Sequence, residues 1–339
     1  MAIVGGFDVH RSQITFDYLD TETGEVSRGV IRPATREHVH GWVQRFQGRE
    51  AAFALEGTTG WRFVVEELQA AGIEAHLAEP AETRALRGPK RRAKTDRQDA
   101  RHMRELLQTG RLPESWIPPA HIQELRTLVR LRKTLVDERR AWQQRIQAVL
   151  FHQGQPAGTQ LTSRQGRADL AGFELSPAAK QTVDLGLRMI ACINEQIKPL
   201  ERQLVESARR QIGCRALMRH YGIGPLTAVA ILVEHGDARR FSSSRKAIRN
   251  AGLDITVHQS DTKRAPGKLS RQGPSVLRWA LFEAAQSACR ATSPDLAYYR
   301  QAAARLGHNR ACLSVARRLM RRAHHTLRQL GEQALEPAA

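Results

Sequence analysis

The segment Lys94 to Leu107, KTDRQDARHMRELL, sets Asp96 and Asp99 three residues apart at the expected start of a helix, a spacing that places them on one face. They lie inside one of the most basic stretches of the chain, with nine Lys or Arg and only these two acids between Arg84 and Arg104. Surface ion pairing and favourable charge at a helix N-terminus both account for such a pair. Neither accounts for two further carboxylates: Asp8 follows the apolar residues of GGFDVH, and Glu56 ends the apolar run of FALEGTTG. In a layered α/β domain the ends of adjacent strands converge on one edge, so Asp8 and Glu56 can face the same place. Four carboxylates meeting in space repel unless cations neutralise them. Hard oxygen donors of this kind hold Mg2+, with Mn2+ as the alternative, and such an ion bridges to phosphate oxygens and positions or activates a nucleophile. Asp8, Glu56, Asp96 and Asp99 are the candidate metal ligands, with Lys94 and Arg97 beside them as candidate nucleic-acid contacts.

Composition points to the same class of partner. The 339 residues carry 53 basic and 34 acidic side chains, a formal charge of +19, and such an excess on a globular protein meets a phosphate backbone or an anionic surface. Aromatic residues make up 5%, so contacts to the nucleic-acid backbone are expected to outweigh base stacking. No apolar run approaches about 18 residues, and MAIVGGFDVH lacks a basic leader followed by an apolar core, which predicts neither a membrane span nor a signal peptide and a cytoplasmic protein. Cys192, Cys214, Cys289 and Cys312 are far apart with no C-x-x-C pair, the pattern of reduced, buried thiols rather than of zinc or disulfides.

A chain of this length predicts two or three domains. Ala2 to Val9, Ile14 to Leu19 and Glu25 to Ile31 read as an antiparallel meander. A helix around Arg36 to Phe46, a strand in AAFALEG, a helix in WRFVVEELQAAG and a strand in IEAHLAE follow; in that second helix Phe63, Val64, Leu68 and Ala71 share a face. The order strand, strand, strand, helix, strand, helix, strand, helix is that of a ribonuclease-H-like α/β layer. Past the break PESWIPP, between Pro113 and Pro119, Leu128, Leu135, Trp142 and Val149 recur every seven residues, with Leu131 and Ile146 in the neighbouring seam. Val183, Ile190, Ile197 and Leu204 repeat that spacing, which predicts two long antiparallel helices joined by a loop over 152–180. Their seam is covered by their own domain or by another copy of the chain. Beyond Gln211, LMRHYGIGPLTAVAILVEHG places Gly222 and Gly224 in a tight turn before an apolar helix, as in a helix-hairpin-helix. After Leu296 come eight Arg and no acid before Glu332, which predicts contact with a polyanion.

GFDVH, ALEGTTGW, KTDRQDARHMRELLQTGRL and, downstream, GIGPLTAVAIL, RKAIRNAGL and KLSRQGPSVLRWALFEAA together resemble, in content and order, the DEDD transposases of the insertion-sequence family numbered one-hundred-and-ten, viewed as bridge-RNA-guided recombinases. The resemblance covers residues 2–290. It implies α/β plus all-α architecture: a RuvC-like (RNase H-like) domain over 1–112 with the tetrad Asp8, Glu56, Asp96 and Asp99, a coiled-coil helical region with a loop over 113–208, and a C-terminal transposase domain over 209–330 with a nucleophilic serine. In the family that serine follows GL and precedes S-x-x-G; GLDITVHQSDTKRAPGKLSRQG supplies Ser260, with Gln259-Ser260-Asp261 in place of the usual SSG and Ser270 as the alternative. Lys263, Arg264, Lys268 and Arg271 are then placed to stabilise developing charge, and His258 to relay a proton.

The implied reaction is DNA strand cleavage and exchange through a phosphoserine link, with Mg2+ at the tetrad. The implied partners are donor and target DNA, a structured guide RNA encoded outside this chain, and further copies in a dimer or tetramer, in a prokaryotic, nucleoid-associated setting. Because tetrad and serine fall in different domains, the implied site is composite. The alternative is a metal-dependent nuclease or Holliday-junction resolvase in which water attacks.

Overall fold

The computed structural model describes residues 1–87, 95–156, 158, 160–256, 259–260, 263–264 and 267–337. They form two compact units, Met1–Ile117 and Pro118–Ala339. In the first, alternating β-branched and aromatic residues build β1 (Ile3–Val9), β2 (Ile14–Asp20) and β3 (Val26–Ile31). Then come α1 (Arg36–Val43), β4 (Ala51–Glu56), α2 (Trp61–Ala70), β5 (Glu74–Ala78), α3 (Pro80–Leu86), α4 (Asp96–Gln108) and β6 (Glu114–Ser115). The sheet order is β3-β2-β1-β4-β5-β6. The first three strands are antiparallel, β4 runs parallel to β1, β5 runs parallel to β4, and β6 closes the edge antiparallel to β5. This mixed α/β layer follows the element order read from the sequence, with a short helix, α3, added before the last helix and β6 added after it; two residues inside a proline-bounded break are too short to show alternation.

The two faces of the sheet differ in residue size. One packs Phe7, Phe53, Leu55 and Phe16 against Trp42, Val64, Val65 and Leu68 of α1 and α2. Ala71, expected on that helical face, is the exposed C-cap of α2, and Val65 takes its place in the core because the helix ends one residue earlier. The opposite face presents Ala54 and Ala78 to Met103 and Leu106 of α4. At Gly6 a Cβ would stand 2.3 Å from the Ala100 carbonyl oxygen and 2.5 Å from the Arg104 nitrogen, so only glycine admits the helix backbone to β1. Arg104 Nε, buried, then reaches the buried Asp17 Oδ1 at 2.7 Å, and Arg28 Nε takes the other oxygen at 2.7 Å, which fixes the rotation of α4 on the sheet.

The second unit begins with α5 (Ala120–His152), α6 (Arg164–Gly172) and α7 (Pro177–Arg210). Arg132 pairs with Glu201, Arg139 Nη1 donates to Asn194, and Gly186 leaves room for Ile146, so α5 and α7 run antiparallel. On α7 the heptad residues Val183, Ile190, Ile197 and Leu204 are all buried. On α5 the deepest residues are Ile122, Val129, Ile146 and Leu150, while Leu131, expected in the seam, is 45% exposed. Two positions past Val129 it lies about 200° round the helix. Residues 152–180, expected as a loop, contain α6, and Leu161, Leu170, Phe173 and Leu175 pack on Ile146, Leu150 and Val183. These apolar residues are too widely spaced to give a periodic signal, yet they close the tip of the hairpin.

The rest comprises α8 (Ile212–Leu217), α9 (Pro225–His235), α10 (Ser244–Asn250), β7 (Gln259–Ser260), β8 (Lys263–Arg264), α11 (Ser275–Gln286), α12 (Leu296–Leu306) and α13 (His308–Leu330). Every residue of α9 from Ala228 to His235 is buried, and one face of α13 is buried from Ala311 to Leu327. The arginine run correspondingly splits. Arg322 forms a two-pronged pair with Asp295 (2.6 and 2.8 Å), Arg318 lies 3.4 Å from the same carboxylate, and Arg317 and Arg328 donate to the carbonyl oxygens of Leu253 and Phe241. These four are bonded within the unit, Arg328 from an exposed position, whereas Arg300, Arg305, Arg310 and Arg321 stand exposed on its surface. Of the cysteines, Cys214 and Cys312 are buried as expected, and burial pushes the Cys214 thiol up to about 12; Cys192 and Cys289 are exposed, because they fall on the outer sides of their elements. Among the described residues no helix is long and apolar enough to cross a membrane.

The C-terminal end of α9 makes the second unit sensitive to acid. Burial, reinforced by the Arg240 and His324 charges, pushes the His235 imidazole from 6.5 down to about 3, and its ring stacks on Phe241 with centroids 4.9 Å apart. The unfolded chain takes up a proton near 6.5 that the fold refuses until about 3, so stability is expected to fall as the pH drops through that window. The slope from this group is about 1.4 kcal/mol per pH unit. Urea denaturation at pH 7.5 and pH 5 measures it, and His235→Phe is expected to flatten it.

Candidate functional site

The alternation of β1 places Asp8 two residues beyond Gly6, hence on the face covered by α4. Glu56, the last residue of β4, stands in the same relation to Ala54. The two strands are parallel neighbours with Phe7 opposite Leu55, so the carboxylates end adjacent strands at one edge. Asp96 and Asp99 occupy the first and fourth positions of α4, whose cap is Thr95; its side chain accepts from Gln98 N. The approach permitted by Gly6 therefore carries the start of this helix to the edge where Asp8 and Glu56 lie.

Electrostatics and hydrogen bonds link all four. Burial pushes the Asp8 carboxyl up; His10 draws it back down, and the negative charges of Asp99 and Asp96 raise it further. His10 Nε2 lies 3.0 Å from Asp8 Oδ2 and 3.6 Å from Asp96 Oδ1. Gln13 Nε2 donates to Asp96 Oδ2 at 3.3 Å. Arg87 Nη1 donates to Asp99 Oδ1 at 2.6 Å, and Nη2 to Glu56 Oε1 at 3.3 Å. Each pair of carboxylates thus has a basic side chain set between its members: His10 for Asp8 and Asp96, Arg87 for Glu56 and Asp99. Three donor atoms of Asp8, His10 and Asp96 lie within 4.8 Å of one another, and with the hard oxygens of these carboxylates they could hold a divalent cation.

His10 and Arg87 escaped sequence reasoning. His10 carried a usable signal, since it stands two residues past Asp8 on a chain still near strand geometry. Arg87 carried none, because it joins residues 12 and 31 positions away. Of the predicted basic contacts here, Arg97 is exposed, and Lys94 lies outside the described residues.

In the second unit the serine segment forms a β-arm. Ser270 N donates to Asp254 O, Ile255 bridges Leu269, and Thr256 N donates to Lys268 O. Farther out, Gln259 pairs with Arg264 and Ser260 with Lys263 in antiparallel register. The base is clamped: Ser270 Oγ donates to Asp254 Oδ1, and at Gly273, with φ +89°, a Cβ would stand 2.0 Å from the Asn250 carbonyl oxygen. Ser260 is at the outer end of this arm and Ser270 at its base. Lys268 and Arg271 are exposed, and His258 lies outside the described residues. The turn at Gly222, with φ +89°, packs inward, where a Cβ would strike Ser287 and Ala284.

Comparison with known proteins adds the following. Residues 5–152 match a DEDD family described as Transposase, and residues 214–300 match the family described as Transposase IS116/IS110/IS902 family. A protein of Pseudomonas aeruginosa named "Probable family 20 transposase" is 25% identical over 250 residues, 70% of this chain and 71% of that protein. The "Transposase for insertion sequence element IS1111A" of Coxiella burnetii is 26% identical over 239 residues, 66% of this chain and 64% of that protein.

Proposed function

The chain belongs to the IS110 family of insertion-sequence transposases, and from that premise we propose that it cleaves and rejoins DNA with Asp8, Glu56, Asp96 and Asp99 as metal ligands and Ser260 as nucleophile. The observation that carries the reading is the joining of all four carboxylates at one sheet edge through His10 and Arg87. In this reading the first unit is an RNase H-like, RuvC-like domain, α5 and α7 form a coiled coil, and Gly222 and Gly224 mark a helix-hairpin-helix. The four carboxylates would hold Mg2+, which when bound supplies Lewis-acid polarisation of the scissile phosphate. The Ser260 hydroxyl attacks the phosphorus and gives up its proton, and the leaving strand departs as a hydroxyl that gains one. The phosphoserine ester keeps the bond energy, so the hydroxyl of an incoming strand can reverse the attack and restore the serine. Ser270, tied to Asp254 at the base of the arm, serves that arm's geometry.

Arg87 provides an early check. Its guanidinium sits where positive charge is needed only until a divalent cation arrives, so Arg87→Met is expected to tighten Mg2+ binding about tenfold or more. Calorimetric titration measures the change; equal or weaker binding counts against these carboxylates as ligands.

The guide RNA and the multimer rest on the family resemblance. Purification from the native host followed by sequencing of bound RNA tests the first. One abundant structured RNA, with segments matching the element's end and its insertion site, is the expected result, and heterogeneous RNA released by modest salt would leave a metal-dependent nuclease as the better account.

A further inference from the structure

We propose that His10 is itself a ligand of the ion held by these carboxylates, and that its imidazole biases the centre toward Mn2+ over Mg2+; this rests on the reading of Asp8, Glu56, Asp96 and Asp99 as a metal centre. His10 follows β1 directly, and its backbone N–H donates to the Gln13 carbonyl oxygen at 2.9 Å, which fixes the tight turn into β2. From that turn Nε2 reaches Asp8 Oδ2 at 3.0 Å and Asp96 Oδ1 at 3.6 Å. One donor atom from each of the three residues lies within 4.8 Å of the other two. Neighbouring ligands on an octahedral ion with bonds of about 2.1 Å stand about 3 Å apart and opposite ones about 4.2 Å, and the two His10 distances, 3.0 and 3.6 Å, fall inside that range.

The surroundings support a ligand more than a passing ion pair. Asp8 is 20% exposed at its side chain and held in the strand, so one partner is fixed. Asp96 is steadied by Gln13 Nε2 at 3.3 Å, and Gln13 is also the residue whose carbonyl anchors His10. Turn, imidazole and both carboxylates are therefore coupled, an arrangement that orients ligands. Among the described residues no other three His, Cys, Asp or Glu side chains bring donor atoms this close. Mg2+ dehydrates reluctantly and favours an all-oxygen shell, whereas Mn2+ shares that oxygen preference but, as a first-row transition ion, takes an imidazole nitrogen more readily than Mg2+ does.

The test loads the full chain with Mn2+ and records electron spin echo envelope modulation, alongside calorimetric titration with Mn2+ and with Mg2+. The expected result is modulation from a directly bound imidazole nitrogen that disappears in His10→Ala, together with a Mn2+ Kd about tenfold weaker and a Mg2+ Kd within about threefold of the parent. If Asp8→Asn removes Mn2+ binding while the parent shows no nitrogen modulation, or shows modulation that survives His10→Ala, His10 is not a ligand and the carboxylate centre stands. If Mn2+ binding is unchanged in Asp8→Asn, the centre itself is wrong and His10 falls with it.

Discussion

Asp8→Asn is expected to reduce DNA strand cleavage by about 10³-fold or more, the scale of losing preorganised charge stabilisation at a transition state, while DNA binding and folding are preserved. The substitution keeps the shape and one oxygen, so His10 retains an acceptor. It removes a negative charge that burial disfavours and that Asp99 and Asp96 repel. Without metal the fold should therefore be no less stable, and thermal melting of the variant is expected at or above the parent. Asp17→Asn is the contrast. That carboxylate is buried between Arg104 and Arg28, so its loss strands a buried guanidinium and is expected to destabilise by about 3–5 kcal/mol. Loss of cleavage without loss of stability at Asp8, and the reverse at Asp17, would separate the carboxylate that does chemistry from the one that holds α4 in place. Cleavage by Asp8→Asn at the parental rate would remove the metal centre from the mechanism.

The difference between those two aspartates was only half legible in the sequence. Alternation in IVGGFDV and ITFDYLD marks both strands, and the glycines of GGFD signal a close approach, yet nothing in either string says that Asp17 meets Arg104. Periodicity reports which face a residue takes, and this was enough to order the strands and helices of the first unit apart from α3 and β6 and to put Asp8 and Glu56 at strand ends. It does not report what crosses that face. Arg87 and Arg104 act across long separations, and half of the arginines after Leu296 turned inward to Asp295 and to the carbonyls of Leu253 and Phe241. A count of charges sees eight arginines; only packing tells which four remain for a polyanion. Short or sparse elements failed for a related reason: β6 has two residues, and the apolar contacts of α6 are spread from Leu161 to Leu175 without a period.

Ser260→Ala is expected to abolish the covalent protein–DNA adduct and, with it, strand exchange. The effect should be total for the adduct, since no other atom of residue 260 can form the ester, and at least about 10³-fold for exchange. Binding of DNA and the melting temperature should be unchanged, because the arm is held at its base by Ser270, Asp254, Thr256 and Lys268, residues the substitution leaves alone. Ser270→Ala should behave differently. It removes the donor to Asp254 and loosens the clamp, so a partial loss of exchange is expected while the adduct still forms on Ser260. Gel detection of label transferred from a DNA end to the protein distinguishes the two. An adduct that persists in Ser260→Ala and vanishes in Ser270→Ala would move the nucleophile to the base of the arm. Full cleavage by Ser260→Ala with no adduct in the parent would mean that water attacks, that the four carboxylates suffice for the chemistry, and that the arm serves DNA positioning alone.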